Sequence, residues 1–507
     1  MNWKTMLKFP LLATLLLAFF LIAGAASTHA ASPGAALVQL DVTGLEDLGP
    51  GWAYEGWVIV DGNPLSTGVF TVDGTGNASV RNFAVNANPQ DVSAFVLTIE
   101  PSPDPDPAPS NTHLLGGDFN GRFAHLTVGH HTALGNDFLD ANGSFILAVP
   151  SDSSGNTPYT HGIWWLNPAG PTSSLDLPTL PAGWAYEGWV VGANGPISTG
   201  VFTDLAMADS DAGGPYAGPD NTPSFPGQDF VNPPMDLTGL TAVISIEPSP
   251  DNSPAPFTLK PLIDGHIDDL GAPGLAQEMD NNAAGFPSGT AKLLPAQRYQ
   301  VTFTNLTAGQ PLSPAVVATH RAGLGMFNGN QYALPALEAI AEDGDESSMA
   351  ALLNSLPQVS QVVQVGAPLT PQGITVGDFS SSATFEIIAR PGDRISLASM
   401  LICTNDGFTA LGSASLPQHG SHDYWLYGYD AGTEDNTELS GDLPDPCSAL
   451  GPVVLNGDAN GNENTAVDTQ PHQSIQLHPG IQGNGALLPA HNWDGAVAKV
   501  TITRLDN

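Results

Sequence analysis

The sequence predicts an all-β protein made of tandem antiparallel β-sandwich-like domains, the C-terminal one carrying two short helices. Gly 56 and Pro 45 among 507 residues, with charged residues at only 12%, give the composition of a turn-rich chain. Apolar runs of strand length recur between Gly, Asn and Asp turns. A strand-and-hairpin unit also occurs twice in the first half, and such self-similarity marks a duplicated structural unit.

The N-terminus reads as an export signal over residues 1–30. Lys4 and Lys8 precede an apolar run from Phe9 to Ala26, and Thr28-His-Ala30 has the small-x-small pattern of a cleavage site. The mature chain is then expected to begin near Ala31. An uncleaved anchor is the alternative, because the run approaches the length that spans a bilayer. No later stretch is apolar enough, so no membrane span is expected after signal cleavage.

The first repeat is assigned to 31–172 and the second to 173–275. Gly51-Trp-Ala-Tyr-Glu-Gly-Trp-Val58 returns as Gly183-Trp-Ala-Tyr-Glu-Gly-Trp-Val190, Pro64-Leu-Ser-Thr-Gly-Val-Phe70 as Pro196-Ile-Ser-Thr-Gly-Val-Phe202, and Ile99-Glu-Pro-Ser-Pro-Asp104 as Ile246-Glu-Pro-Ser-Pro-Asp251. Asp61-Gly-Asn and Asn194-Gly are hairpin signals. Phe95–Ile99 and Ala242–Ile246 are buried-strand candidates, and 143–149 and 162–166 read as further strands. The second copy carries an insertion over 208–229. Strand alternation puts Trp52, Tyr54 and Gly56 on one face and Ala53, Glu55 and Trp57 on the other. These aromatics form either core or a sugar-stacking platform. A linker is expected at 276–293, in the region where Gly, Ala, Asn and Asp displace periodicity.

The last domain, 294–507, opens with a strand at Arg298–Asn305. Helical spacing predicts helices at Pro335–Glu342 and Glu346–Leu356. Strands resume at Ala383–Ile388 and Arg394–Leu401, and Ala496–Thr503 closes the chain.

The net charge of −38, from 12 Lys+Arg against 50 Asp+Glu, repels nucleic acid and anionic membranes and attracts divalent cations. It serves solubility equally well. Cys403 and Cys447 are the only cysteines; in an oxidising compartment such a pair forms a disulfide. The competing reading is a catalytic thiol activated by His419 or His422.

Two acidic segments near the C-terminus, Ser399–Phe408 and Tyr427–Glu434, each pair an apolar run with a carboxylate in a Gly-containing turn. Oxygens converging from such loops suit a hard cation such as Ca²⁺. Asp458–Asn462 has only the start of an EF-hand loop and reads as a solvated loop. His419 with His422, and the group His125, His130 and His131, have the residue type of a transition-metal site, but with no third ligand in view the plain surface reading is preferred for each. His320 reads as a hydrogen-bonded core histidine. There is no His-Glu-x-x-His, Gly-x-Ser-x-Gly, phosphate-loop or dinucleotide pattern.

Two family resemblances follow from these residues. The repeats' Trp strand, Ser-Thr-Gly-Val-Phe strand and Ile-Glu-Pro turn loosely resemble the extracytoplasmic domain of anti-sigma-K factors of the RskA type. Almost nothing precedes the export signal, so a sigma-binding role is not expected. In the last domain, Tyr299–Asn305, Leu312–His320, Met400–Asp406, Tyr429–Glu434 and Val497–Arg504 resemble a bacterial-type spondin N-terminal domain. That resemblance implies a C2-like sandwich with one Ca²⁺ held by Asp406, Asp430 and Glu434.

The expected function is a secreted, periplasmic or cell-surface adhesion or extracellular-matrix-type binding protein. Its partner would be an extracellular protein or glycan, and no enzymatic activity is expected. The alternatives are a carbohydrate-binding protein using Trp57 and Trp189, and a secreted hydrolase, whose two carboxylates need only meet in space.

Overall fold

The computed structural model describes residues 34–170, 172–210, 223–250, 253–450 and 464–505. The expected signal segment, the Asp458–Asn462 motif and the middle of the 208–229 insertion lie outside them. Within the described residues the chain is all-β, its antiparallel sheets accompanied by only a few short helices.

The duplication extends to single hydrogen bonds. Strands Trp52–Val60 and Trp184–Gly192 each pair with a following hairpin strand and a later strand, Val92–Pro101 or Thr241–Pro248. The first hairpin closes through Asp61 and Gly62, both at positive φ, the backbone that an Asp-Gly turn supplies cheaply. A bulge follows Gly56 and Gly188 alike. Trp57 Nε1 donates to Thr98 Oγ1 at 2.9 Å and Trp189 Nε1 to Ser245 Oγ at 2.7 Å. Tyr54 stacks on Phe70 and Tyr186 on Phe202. Glu55 accepts from Ser66 and Glu187 from Ser198.

Both faces of these strands are covered. Trp57 and Trp189 are each 2% exposed, and Tyr54, Tyr186 and Trp184 are buried as well. The sugar-stacking platform is therefore corrected to core, because a buried ring has no face to offer a pyranose. One apolar core runs through both repeats, from Ala36 to Leu293, although their aromatic strands belong to different sheets.

The stretch 276–293, expected as a linker, is also built into sheets. Ala276–Glu278 pairs with Asn142–Leu147, and Asp280–Asn281 pairs with Leu262–Asp264. Strand Ser288–Asn305 is 18 residues long, about three times the usual length. Its first part pairs with Ala35–Thr43 on one side and Phe123–Thr127 on the other; its second part pairs with Ser382–Ala389 and Ala498–Arg504. Pro295 lies in the gap on one edge between the partners of Lys292 and Tyr299, where its missing N–H breaks no ladder bond on that side.

In the C-terminal part, strands Ser421–Leu426, Ala498–Arg504, the end of Ser288–Asn305 and Ser382–Ala389 form one layer. A six-stranded sheet forms the other, in the order Val359–Gln364, Val316–His320, Arg394–Met400, Gly407–Ser415, Gly428–Asp430, Gln476–Leu477. Tyr299, Val301, Phe303, Val317, Leu397 and Val500 fill the space between. Helices Pro335–Asp343 and Ser347–Asn354 cover the outer face through Leu337, Ile340 and Met349, against Val316, Ala318 and Phe408. His320 is a core histidine as expected, with Nε2 2.8 Å from Ser396 Oγ and Nδ1 2.9 Å from the Arg321 carbonyl.

Candidate functional site

Between strands Arg394–Met400 and Gly407–Ser415 the chain from Leu401 to Asp406 is buried throughout. A buried loop must find partners for its backbone, and Gln310 supplies two. Its Nε2 donates to the Cys403 carbonyl (2.9 Å) and its Oε1 accepts from the Cys403 N–H (3.0 Å). Thr404 Oγ1 donates to the Leu401 carbonyl (2.6 Å) and accepts from the Gly407 N–H (2.9 Å). Gly407 has room only for hydrogen, since a Cβ there would lie 2.3 Å from Thr404 Oγ1. Cys403 and Cys447 form a buried disulfide that ties this loop to helix Pro446–Leu450. The bridge removes the free thiol, so the catalytic-cysteine reading is corrected; His419 and His422 stand exposed.

Three carboxylates are carried by the loops at this end of the sandwich. Asp406 is fully buried, and its Oδ2 accepts the N–H groups of Thr433 (2.8 Å) and Glu434 (3.2 Å). Its Oδ1 is buried without a hydrogen-bond partner. Asp430 accepts from the Gly432 N–H (2.8 Å) and Asn436 Nδ2 (2.7 Å). Glu434 Oε1 accepts from the Val467 N–H (3.1 Å). Gly432 sits at φ +72°, and a Cβ there would lie 2.6 Å from the Gln473 carbonyl.

A fourth carboxylate, Glu342, comes from the end of helix Pro335–Asp343, and sequence reasoning missed it. Its Oε1 is also buried without a partner. In sequence it is one acid among several on a short helix, with no motif to join it to loops some 60 or more residues away. Only the packing of that helix on the sheet makes the connection.

Electrostatics make the cluster unusual. Burial first, and the charge of Asp430 second, push Asp406 up to about 6. Burial, then Glu342, Asp406 and Asp468, push Glu434 up to about 8 against the hydrogen bond from Val467. Burial likewise raises Glu342, with Glu338 and Asp406 adding to it. Among the described residues, the Lys and Arg ion pairs go to other acids. His478 faces Asp430 and Glu438, yet burial holds it below the usual histidine range, so it brings no positive charge at neutral pH. Such a cluster is relieved by protons or by a hard cation.

Asp406, Asp430 and Glu434 do not bring one oxygen each within 4.8 Å of one another, whereas two other described groups of ligand atoms are that close. One is Cys403, Cys447 and His491, whose sulfurs are spent in the disulfide. The other is Asp118, His130 and His131. A cleft of about 910 Å³ lies elsewhere, between the 71–81 segment and helix Ser347–Asn354, and is lined by Asp73, Asn77, Arg81, Asn354 and Gln364.

Comparison with known proteins bears on the N-terminal part. The family model described as anti-sigma-K factor RskA, C-terminal, matches residues 16–112, which contain the landmarks of the first repeat. This is what that segment is similar to, and it leaves most of the chain unmatched. No curated protein matches the chain.

Proposed function

We propose that this chain is an exported or cell-surface binding protein of the adhesion or matrix type, whose C-terminal sandwich is spondin-like and ordered by Ca²⁺. The observation that carries the reading is Asp406: a buried carboxylate with one oxygen unpartnered, beside Asp430, Glu434 and Glu342, and with no Lys or Arg paired to it among the described residues. Leaving such charges buried and uncompensated is costly, and a hard divalent ion bound through carboxylate oxygens compensates them. Asp406, Asp430 and Glu434 would hold the ion, with Glu342 in the adjoining shell; their oxygens do not all lie within 4.8 Å of one another as they stand, so the loops would close around the ion or one carboxylate would reach it through water. The ion would neutralise the cluster and fix the loops that carry it. The likeness of the first repeat to an RskA C-terminal region supports an extracytoplasmic setting. The partner in this reading is an extracellular protein or glycan.

A glycan platform on the repeats is disfavoured by the burial of Trp57 and Trp189. The test is a calorimetric Ca²⁺ titration of the full chain. A fragment cut near residue 290 would split strand Ser288–Asn305 from its partners in the first repeat. Saturable binding in the parent, lost in Asp406→Ala and in Asp430→Ala, is the expected result. A flat isotherm for the parent chain overturns the proposal.

A further inference from the structure

The structure points to a second cation site of different chemistry, and we propose that Asp118, His130 and His131 bind a first-row transition metal ion of the Zn²⁺ type. The site lies in the N-terminal part and is independent of the acidic cluster. Asp118 is on strand His113–Asn120; His130 and His131 are in the turn after strand Phe123–Thr127. One ligand atom from each lies within 4.8 Å of the other two.

The local build explains why the turn folds back over this strand. Residues 116 and 118 share a strand face, and the one nearer the turn is a glycine. A Cβ on Gly116 would lie 2.3 Å from Thr132 Oγ1 and 2.7 Å from His130 Nδ1. The absent side chain is thus the space in which His130 and Thr132 sit, and from there the imidazole reaches Asp118 on the same face. His130 is mostly buried, with its side chain 16% exposed, while Asp118 at 69% stays open to water.

The hydrogen bonding also suits a ligand. His130 Nδ1 lies 2.8 Å from Thr132 Oγ1. Nδ1 also accepts the Thr132 N–H at 3.3 Å, so in the metal-free chain the ring proton sits on Nε2, toward Asp118; an ion bound at Nε2 requires that proton to shift to Nδ1, where the Thr132 hydroxyl is placed to accept it and orient the ring. Nε2 is 3.5 Å from Asp118 Oδ1. Two ligands at about 2.0–2.1 Å from a tetrahedral Zn²⁺ stand roughly 3.3 Å apart, so this edge needs little adjustment. The His131 ring lies 4.3 Å from that of His130, centroid to centroid. Two imidazoles and a carboxylate suit Zn²⁺, Ni²⁺ or Cu²⁺ better than Ca²⁺ and leave a position for water. His125, the remaining member of the sequence group, stands across from Asp118 when the ladder is continued from Gly116↔Thr127 to Phe119↔Ala124.

The test is calorimetric titration of the tag-free full chain with Zn²⁺ in buffer containing excess Ca²⁺, which occupies hard acidic sites. One saturable site is expected. His130→Ala, His131→Gln and Asp118→Asn should each weaken it at least ~10-fold, and Thr132→Val about 10-fold through lost orientation of the ring. His131 and Asp118 are exposed, so their variants report on the site even if His130→Ala fails to fold. Asp406→Asn should leave the Zn²⁺ isotherm unchanged, which separates this site from the acidic cluster. Absence of a saturable site, or parental affinity in both His131→Gln and Asp118→Asn, overturns the proposal and leaves a plain surface His–Asp contact.

Discussion

Asp406→Asn separates the two roles assigned to this residue, a burden in the metal-free fold and a ligand in the loaded one. Burial and Asp430 raise its carboxyl from 3.8 to about 6, which corresponds to about 3 kcal/mol between its two protonation states. The folded chain holds this proton more tightly than the unfolded chain. Metal-free stability is therefore greatest below the unfolded value, falls as the pH climbs from there through about 6, and levels off above. Glu434, raised to about 8, has the same sign and extends the decline upward. An amide cannot ionise, yet its oxygen still accepts from the Thr433 and Glu434 N–H groups, at a loss of about 1 kcal/mol for exchanging a charged acceptor for a neutral one.

In EDTA at about pH 8 the variant should thus be more stable than the parent by about 2 kcal/mol, or roughly 4–8 °C for a domain of about 150–250 residues. Near pH 4 the advantage should vanish. Saturating Ca²⁺ should reverse the order: at about 100-fold excess over Kd the parent gains about 2.7 kcal/mol and the variant gains nothing. Scanning calorimetry at several pH values, with EDTA and with Ca²⁺, reads all of this. A variant less stable than the parent at high pH in EDTA, or an equal response of both chains to Ca²⁺, would refute the reasoning.

Two further predictions follow from the same structure. The Cys403–Cys447 bridge spans a sequence separation of 44, so its removal in the Cys403→Ala/Cys447→Ala double variant should cost about 4 kcal/mol in the chain-entropy model; an unchanged melting curve would show that the bridge does not constrain the unfolded chain as argued. Trp57→Phe and Trp189→Phe should each cost about 1–2 kcal/mol, by losing the indole donor to Thr98 or Ser245 while keeping most of the ring. Chemical denaturation of the two variants should give similar losses, and a clear loss in only one would break the equivalence of the repeats.

Much of the local structure was legible because local chemistry decides it. Asp61-Gly62 made its hairpin since a two-residue turn needs positive φ there. The helices came out at Pro335–Asp343 and Ser347–Asn354, within a few residues of their apolar spacing. The expected 276–293 linker failed for the opposite reason. Its residues have weak strand preference, and it is paired because neighbouring strands offer unsatisfied edges. Trp57 was ambiguous in sequence because alternation assigns a face without saying whether anything covers it. Tertiary packing decides that, and it leaves Trp57 2% exposed.

The candidate sites divide along the same line. Asp406, Asp430 and Glu434 were singled out as candidates from turn motifs and a family resemblance, and the cysteine pair, which the structure bridges, from composition and compartment. Glu342 and Asp118 were not found, because each joins its cluster through packing between segments with no shared motif. By itself the sequence determined the all-β class, the duplication, the cysteine pair and the residue types available for binding, all of which depend on short-range pattern and composition. Tertiary structure alone decided that one 18-residue strand serves both halves, which aromatic faces are buried, and which carboxylates and imidazoles stand together. Those outcomes depend on contacts between residues far apart in the chain, and a linear pattern of hydrophobicity and charge does not encode such distances.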